Sequence, residues 1–122
     1  MTSKYYELFN NKLDEFIKEL IITFPTDPDF KLFQASFRLL KIANDTKPLE
    51  LFYAGLTDDY KKNIKTHNEK FFLENDYDHD EHVSDKLISK LKKYWSDFNT
   101  DNKNTVWQYF TILLKICEKH FE

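Results

Sequence analysis

The chain has 122 residues, of which 41% are hydrophobic, 17% aromatic and 32% charged, and its formal net charge is −3. This length predicts a single domain, because domains most often run about 100–150 residues. The acidic balance argues against a general nucleic-acid-binding protein, since such proteins usually carry a basic domain.

Two residue types are rare, and their rarity excludes several kinds of site. Gly55 is the single glycine, whereas loops that cradle phosphate groups need several. Cys117 is the single cysteine, so neither an internal disulfide nor a paired-cysteine zinc site is expected. The twelve Phe, seven Tyr and two Trp residues predict a large aromatic core instead.

The charges near the start of the chain and the length of its apolar runs predict where in the cell the protein is located. Seven charged residues within positions 1–20 interrupt any apolar segment of a secretory signal. No apolar run approaches the roughly 20 residues that a helix needs to cross a bilayer. We therefore expect no membrane insertion and a location in the cytosol, or in a particle assembled there.

The first two helices are predicted from apolar periodicity. Residues 4–24 place most of their apolar side chains in one arc, and Pro25 ends that helix. Asp27 is a good N-cap and Pro28 fits a first helical position, so a second helix should run to Ile42 or Ala43. Its apolar residues surround most of its circumference, which predicts a central helix with only a narrow wet face. The wet face comprises Lys31, Gln34, Arg38 and Lys41.

Short helices should follow. Pro48 begins one, and Gly55 is expected to close it as a C-terminal cap. Thr57 should cap a second short helix that contains Tyr60 and Ile64. Residues 69–73 are expected to form a helical turn that fills the core.

Two longer helices complete the predicted fold. One begins after Ser84 and the other covers about residues 101–120, with Asn99 or Thr100 as its cap. The second is apolar over about half its circumference and should be central or carry a partner site. No strand alternation of useful length is present. The prediction is one all-α domain over residues 1–122, a bundle of about four long and two short helices.

Residues 74–82 form an acidic loop with two possible interpretations. The spacing of Asp76, Asp78 and Asp80 matches the opening of a calcium loop, but Leu87 stands where a bidentate Glu is needed. His79 and His82 with a carboxylate offer ligands for zinc or another divalent ion. The alternative is a solvated loop that leads into a helix N-terminus, where carboxylates are favoured.

The lysines suggest a nucleic-acid contact as a second alternative. Lys86, Lys90 and Lys93 recur at four- and three-residue spacing and line one flank of the helix that begins after Ser84. Such a stripe can bind phosphate groups. The net negative charge and the single arginine, Arg38, favour a solvated face instead.

No residue set indicates catalysis or a cofactor. Cys117 and His120 lie three apart, but a thiol needs an activating base and Cys117 falls on an apolar face, so core packing is the expectation. We therefore expect a non-enzymatic protein with no cofactor.

Three apolar residues fall on the polar sides of their helices. Leu8 and Ile22 do so in the first helix, and Ile112 does so in the last. Single exposed apolar residues are normal, whereas a clustered patch marks a protein interface. They are the candidate interface residues.

Several motifs, in order along nearly the whole chain, resemble a family of small proteins in nucleocytoplasmic large DNA viruses. They are Phe9-Asn10-x-Lys12-Leu13-x-Glu15-Phe16, Phe24-Pro25-x-Asp27-x-Asp29-Phe30, Phe71-Phe72-Leu73-x-x-Asp76-Tyr77, Leu91-Lys92-x-Tyr94-Trp95 and Asn102-Lys103-x-x-Val106-Trp107-x-Tyr109-Phe110. The resemblance implies a giant-virus source and a life in the host cytoplasm or the virion. It implies no activity and no site residues.

The expected function is therefore a viral protein–protein interaction or structural role, as a virion component or a viral-factory adaptor. The partner would be another protein or a second copy of the chain. The lysine flank and the acidic loop remain the alternatives.

Overall fold

The computed structural model describes residues 4–74 and 83–122, with only the backbone of residues 83–86. Within these ranges the chain forms seven α-helices, a 3₁₀ turn and no β-strand, which confirms the predicted all-α bundle. The helices are α1 (Tyr5–Thr23), α2 (Asp29–Ala43), α3 (Lys47–Ala54), α4 (Asp58–Lys65), α5 (Glu69–Glu74), α6 (Val83–Tyr94) and α7 (Thr100–Phe121), and the 3₁₀ turn is Trp95–Asp97.

Local capping chemistry sets the start of two helices as predicted. The Thr57 hydroxyl accepts a hydrogen bond from the Tyr60 backbone N–H at 3.1 Å. The Asn99 side chain accepts one from the Asn102 backbone N–H at 2.8 Å, which identifies Asn99 as the cap of α7. Each bond satisfies a backbone donor that has no partner within its helix.

The residues that follow α3 and α4 adopt different backbone conformations. Gly55 follows α3 as predicted, but its φ of −78° is helical and open to any residue. The left-handed position after α4 is held by His67, with φ 53°. The N–H groups of His67 and Asn68 bond to the carbonyls of Ile64 and Asn63, at 3.2 and 2.9 Å. This is the Schellman arrangement, in which glycine usually takes the left-handed place.

The centre of the bundle is α7, which packs against α1, α3 and α4. It buries seven side chains: Val106, Trp107, Phe110, Leu113, Leu114, Ile116 and Cys117. Trp107 also contacts the rings of Phe72 and Trp95, at 5.7 and 5.6 Å between centroids. The helical turn α5 therefore does fill the core through Phe72, as the sequence predicted.

A small cavity of about 30 Å³ lies inside the core. Its walls come from α1, α2, α3, α6 and α7 and are wholly apolar; Phe16, Phe37 and Leu113 are among them. A space of this size without polar partners does not hold an ordered water. It is a packing defect and not a ligand site.

The second helix was expected to be central, and this prediction is wrong. Only Phe30 and Phe37 of α2 are buried. The helix packs against α1, α3 and α6, but these neighbours cover one side of it. The opposite side carries Leu32, Leu39 and Ile42, which remain exposed. An apolar face favours burial, but burial requires a neighbouring element, and the described residues provide none on this side of α2.

Candidate functional site

The outward side of α2 is an apolar stripe. Leu32, Leu39 and Ile42 expose 62%, 70% and 80% of their surface, and Ala35 between them is exposed as well. The spacing of three, four and three residues places all four on one face of a helix. The same spacing forms the seam along which two helices of a coiled coil pack. We call Leu32, Ala35, Leu39 and Ile42 the α2 outer face.

One edge of the α2 outer face is basic, and the other is uncharged beyond Asp29, the first residue of the helix. Lys31 and Arg38 each immediately precede a leucine of the stripe, so they lie on the same edge, and both are exposed. Ser36 and Ala43 follow Ala35 and Ile42 on the other edge and are exposed too. The two edges therefore offer different chemistry to whatever covers the stripe.

The basic edge continues onto α1. Arg38 Nε lies 3.2 Å from Asp14 Oδ1, and Lys18 Nζ lies 3.2 Å from Asp14 Oδ2. Partial burial raises the pKa of Asp14, but hydrogen bonds from Arg38 and Lys18 outweigh this effect and hold the pKa below its usual value. Asp14 is thus shared by two cations, Lys18 and Arg38, and Lys31 adds a further cation on the same edge of α2, so the edge keeps a positive charge.

A polar network anchors the start of α2 to the end of α6. Asp27 accepts hydrogen bonds from the Asp29 backbone N–H at 2.9 Å and from the Tyr94 hydroxyl at 2.5 Å. Lys90 Nζ lies 2.6 Å from Asp29 Oδ2 and 3.1 Å from Asp27 Oδ2. The Tyr94 ring stacks on Phe24 at 4.4 Å. These contacts fix the orientation in which α2 presents its outer face.

The pKa values in this network follow from its hydrogen bonds. The bond from Tyr94 is the main reason that the pKa of Asp27 is lowered, and the Asp29 N–H and Lys90 add to the effect. The bonds to Asp29 and Asp27 raise the pKa of Lys90. The bond to Asp27 also raises the pKa of Tyr94. Asp27 and Lys90 therefore stay charged, and Tyr94 stays neutral, across the physiological range.

The lysine flank proposed for nucleic-acid contact is divided by this network. Lys90 is largely buried and bonded to two carboxylates, whereas Lys93 is exposed. The side chain of Lys86 lies outside the described residues. Because Lys90 is already neutralised by Asp27 and Asp29, the flank does not present three available ammonium groups in a row.

The three candidate interface residues are exposed, and the two on α1 lie far apart. Leu8, Ile22 and Ile112 expose 47%, 71% and 38% of their surface. Leu8 and Ile22 are 14 residues apart on α1, which corresponds to about 21 Å along a helix. Ile112 lies on α7. Their role in an interface stays a prediction, while α2 carries exposed apolar residues at closer spacing along one face.

The acidic loop with Asp76, Asp78, His79, Asp80 and His82 lies outside the described residues, so its metal prediction stays open. In the remainder of the chain, residues 4–74 and those from Leu87 onward, no group of three or more His, Cys, Asp or Glu side chains is placed to hold a metal ion.

A second lysine cluster lines an open cleft of about 650 Å³ between α4 and α7. Lys65 Nζ pairs with Glu118 Oε2 at 2.8 Å, and Lys61 Nζ lies 4.0 Å from the centre of the Tyr53 ring. The interaction with Tyr53 outweighs partial burial and raises the pKa of Lys61. Glu122 accepts a hydrogen bond from the Tyr53 hydroxyl at 3.2 Å. Positive and negative groups are thus mixed here, and the cleft has no net preference for an anion.

Cys117 packs in the core, as predicted. Its side chain is fully buried, with Sγ 3.9 Å from the Leu49 carbonyl oxygen. Burial raises the pKa of the thiol far above its ordinary value. His120 contacts the ring of Phe121. A buried and protonated thiol is a poor nucleophile, so Cys117 serves packing.

Sequence reasoning missed the α2 outer face because it counted every apolar residue of α2 toward one core. A signal was present. Phe30, Phe33 and Phe37 form one stripe, and Leu32, Ala35, Leu39 and Ile42 form another on the opposite side. Two apolar stripes back to back on one helix indicate two separate contacts, one of which need not lie within the chain.

Comparisons with protein-family models, with curated proteins and with solved structures gave no match. Among the described helices, none combines the length and the apolar character needed to cross a membrane.

Proposed function

We propose that the protein is a non-enzymatic interaction protein that binds an α-helix of a partner chain on the α2 outer face. The observation that carries this proposal is the exposure of Leu32, Leu39 and Ile42 in a heptad spacing. Scattered exposed leucines are ordinary, but a row along one helix is the surface that a second helix covers. The polar network of Asp27, Lys90 and Tyr94 supports the proposal, because it holds α2 in a fixed orientation.

The size of the surface indicates a reversible complex. Fully burying one Leu or Ile contributes about 1.5–3 kcal/mol, so the three large side chains supply on the order of 5 kcal/mol. Association costs roughly 4–15 kcal/mol in lost freedom. The partner helix must therefore bring apolar residues of its own, and we expect an affinity in the micromolar range.

The test compares two exposed leucines in the same helical context. Leu39→Glu places a charge in the centre of the α2 outer face, and Leu8→Glu places the same charge on α1. A partner should be identified by affinity capture and then rebuilt from purified components. We expect Leu39→Glu to abolish its binding and Leu8→Glu to leave it unchanged. Loss of binding with Leu8→Glu alone would move the interface to the α1 residues Leu8 and Ile22.

The biological setting is proposed on the family resemblance. We propose a role as a virion component or a viral-factory adaptor of a large DNA virus, in the host cytoplasm or the virion. The ordered motifs from Phe9 to Phe110 support this setting. Mass spectrometry of purified virions and of isolated factories tests it. Absence of the protein from both would overturn the setting without affecting the docking surface.

A further inference from the structure

The two edges of the α2 outer face carry information about the partner. In a helix pair, the residues that flank the apolar seam meet across it and select the partner by charge. On α2 these residues are Lys31 and Arg38 on one edge and Ser36 and Ala43 on the other. The difference in charge between the edges is a property that a partner can match.

We propose that the partner is an amphipathic helix with Asp or Glu residues along the edge that faces Lys31 and Arg38. This inference rests on the proposed function of the α2 outer face. Lys18 adds a third cation beside Arg38, and Asp14 is the carboxylate that faces them, so the edge has a net positive charge. A carboxylate on the partner would complete this set of charges, whereas a neutral or basic partner would not.

A second copy of α2 does not provide that match. In an antiparallel pair of α2 helices, Lys31 of one copy would face Arg38 of the other, and these are like charges. In a parallel pair, Lys31 and Arg38 would face the uncharged Ser36 and Ala43. Neither arrangement places a carboxylate against the basic edge, so the charge pattern favours a different chain over self-association.

An anionic membrane surface fits less well than a helix. Helices that lie on membranes carry Lys and Arg along a broad polar face and large aromatic residues on the apolar side. The α2 outer face has cations on one edge and contains Leu, Ala, Leu and Ile without an aromatic ring.

Two synthetic helical peptides test the inference directly. Both carry Leu at the seam positions of three heptads; one has Glu at every flanking position and the other has Lys. Fluorescence anisotropy of the labelled peptides measures binding to the folded protein. We expect the Glu peptide to bind about three- to ten-fold more tightly at low salt, because two or three exposed ion pairs contribute at this level. At 1 M salt the difference should shrink.

Charge variants of the protein make the test specific. Lys31→Glu should remove the preference for the Glu peptide or reverse it. Lys62→Glu, an exposed lysine of α4 with the same change of charge, is the matched control and should leave the preference intact. Circular dichroism melting of both variants shows that the fold is retained.

Each remaining outcome decides between the inference and the proposed function. If both peptides bind equally and Leu39→Glu abolishes their binding, the preference for an acidic partner is overturned and the docking surface is retained. If neither peptide binds, the inference is overturned. If Leu39→Glu also still binds the reconstituted partner, the proposed function is overturned as well. A concentration-dependent dimer in sedimentation equilibrium that Leu39→Glu abolishes would identify a second copy as the occupant. Co-sedimentation with phosphatidylserine vesicles, lost in the same variant, would identify a membrane surface.

Discussion

Helices α2 and α7 look alike in sequence and differ in the structure. Both carry apolar residues around more than one face, and both pack against several other helices. The neighbours of α7 lie around it, and seven of its side chains are buried. The neighbours of α2 lie on the side of Phe30 and Phe37, and the opposite side is open to solvent.

The number of apolar residues around a helix therefore does not predict how many of them are buried. In α7 the second apolar face meets Phe72 and Trp95, so it is part of the core. In α2 the second apolar face meets nothing among the described residues of the same chain. A leucine in α7 therefore serves stability, and a leucine on the outer face of α2 is available for a partner.

The largest expected effect comes from comparing one leucine in each helix. Leu114→Ala in α7 removes a fully buried side chain and should lower the free energy of unfolding by about 2–5 kcal/mol. Leu39→Ala on α2 should change it by no more than about 0.5 kcal/mol, because its side chain is largely exposed. Urea denaturation of both variants measures the difference. Similar losses in the two variants would show that the α2 outer face is covered in solution.

Removing Lys90 tests how firmly α2 is held. Lys90→Met keeps most of the side-chain volume but leaves Asp27 and Asp29 without their ammonium partner. We expect a loss of about 1–3 kcal/mol in unfolding free energy, which is typical of hydrogen bonds to charged groups. Lys93→Met, an exposed lysine of the same helix, is the control and should have little effect. An equal loss of unfolding free energy in both variants would show that the contacts of Lys90 with Asp27 and Asp29 do not stabilise the fold.

The pH dependence should report on Asp27. Its pKa is lowered in the folded protein, so the unfolded state binds more protons in acid. The stabilisation is complete above the unfolded pKa, about 3.9, and is lost as the pH falls through the folded pKa. We expect Asp27→Asn to lower stability at pH 7 and to flatten the acid dependence. Unfolding free energies of the two proteins should converge near the acid end, and parallel curves would contradict this account.

The smallest expected effect concerns the end of α4. His67 holds a left-handed backbone position and its ring stacks on Trp107 at 5.4 Å. His67→Ala removes the stack and keeps the backbone strain, whereas His67→Gly removes both. The glycine variant should be more stable than the alanine variant by about 1 kcal/mol, because a Cβ atom makes the left-handed conformation less favourable by about that amount. Thermal melts measure the difference, and an alanine variant as stable as the glycine variant would argue against strain.

The positions of the helices follow from local features of the sequence. Prolines, capping residues and apolar periodicity act within one or two turns, and so the starts at Thr57 and Asn99 and the end near Pro25 were predictable. The same local rules predicted that the turn at residues 69–73 fills the core and that Cys117 lies on an apolar helix face.

Which apolar faces are covered and which charges meet depends on how the helices pack. Lys90 belongs to a periodic lysine flank in the sequence, but packing brings it to Asp27 and Asp29 from another helix. Leu32, Leu39 and Ile42 have the same preference for burial as the residues of α7. Whether that preference is satisfied depends on the position of other helices, which no local pattern contains. The exposed face of α2 is therefore a result of packing, and it is the surface on which we propose that a partner helix binds.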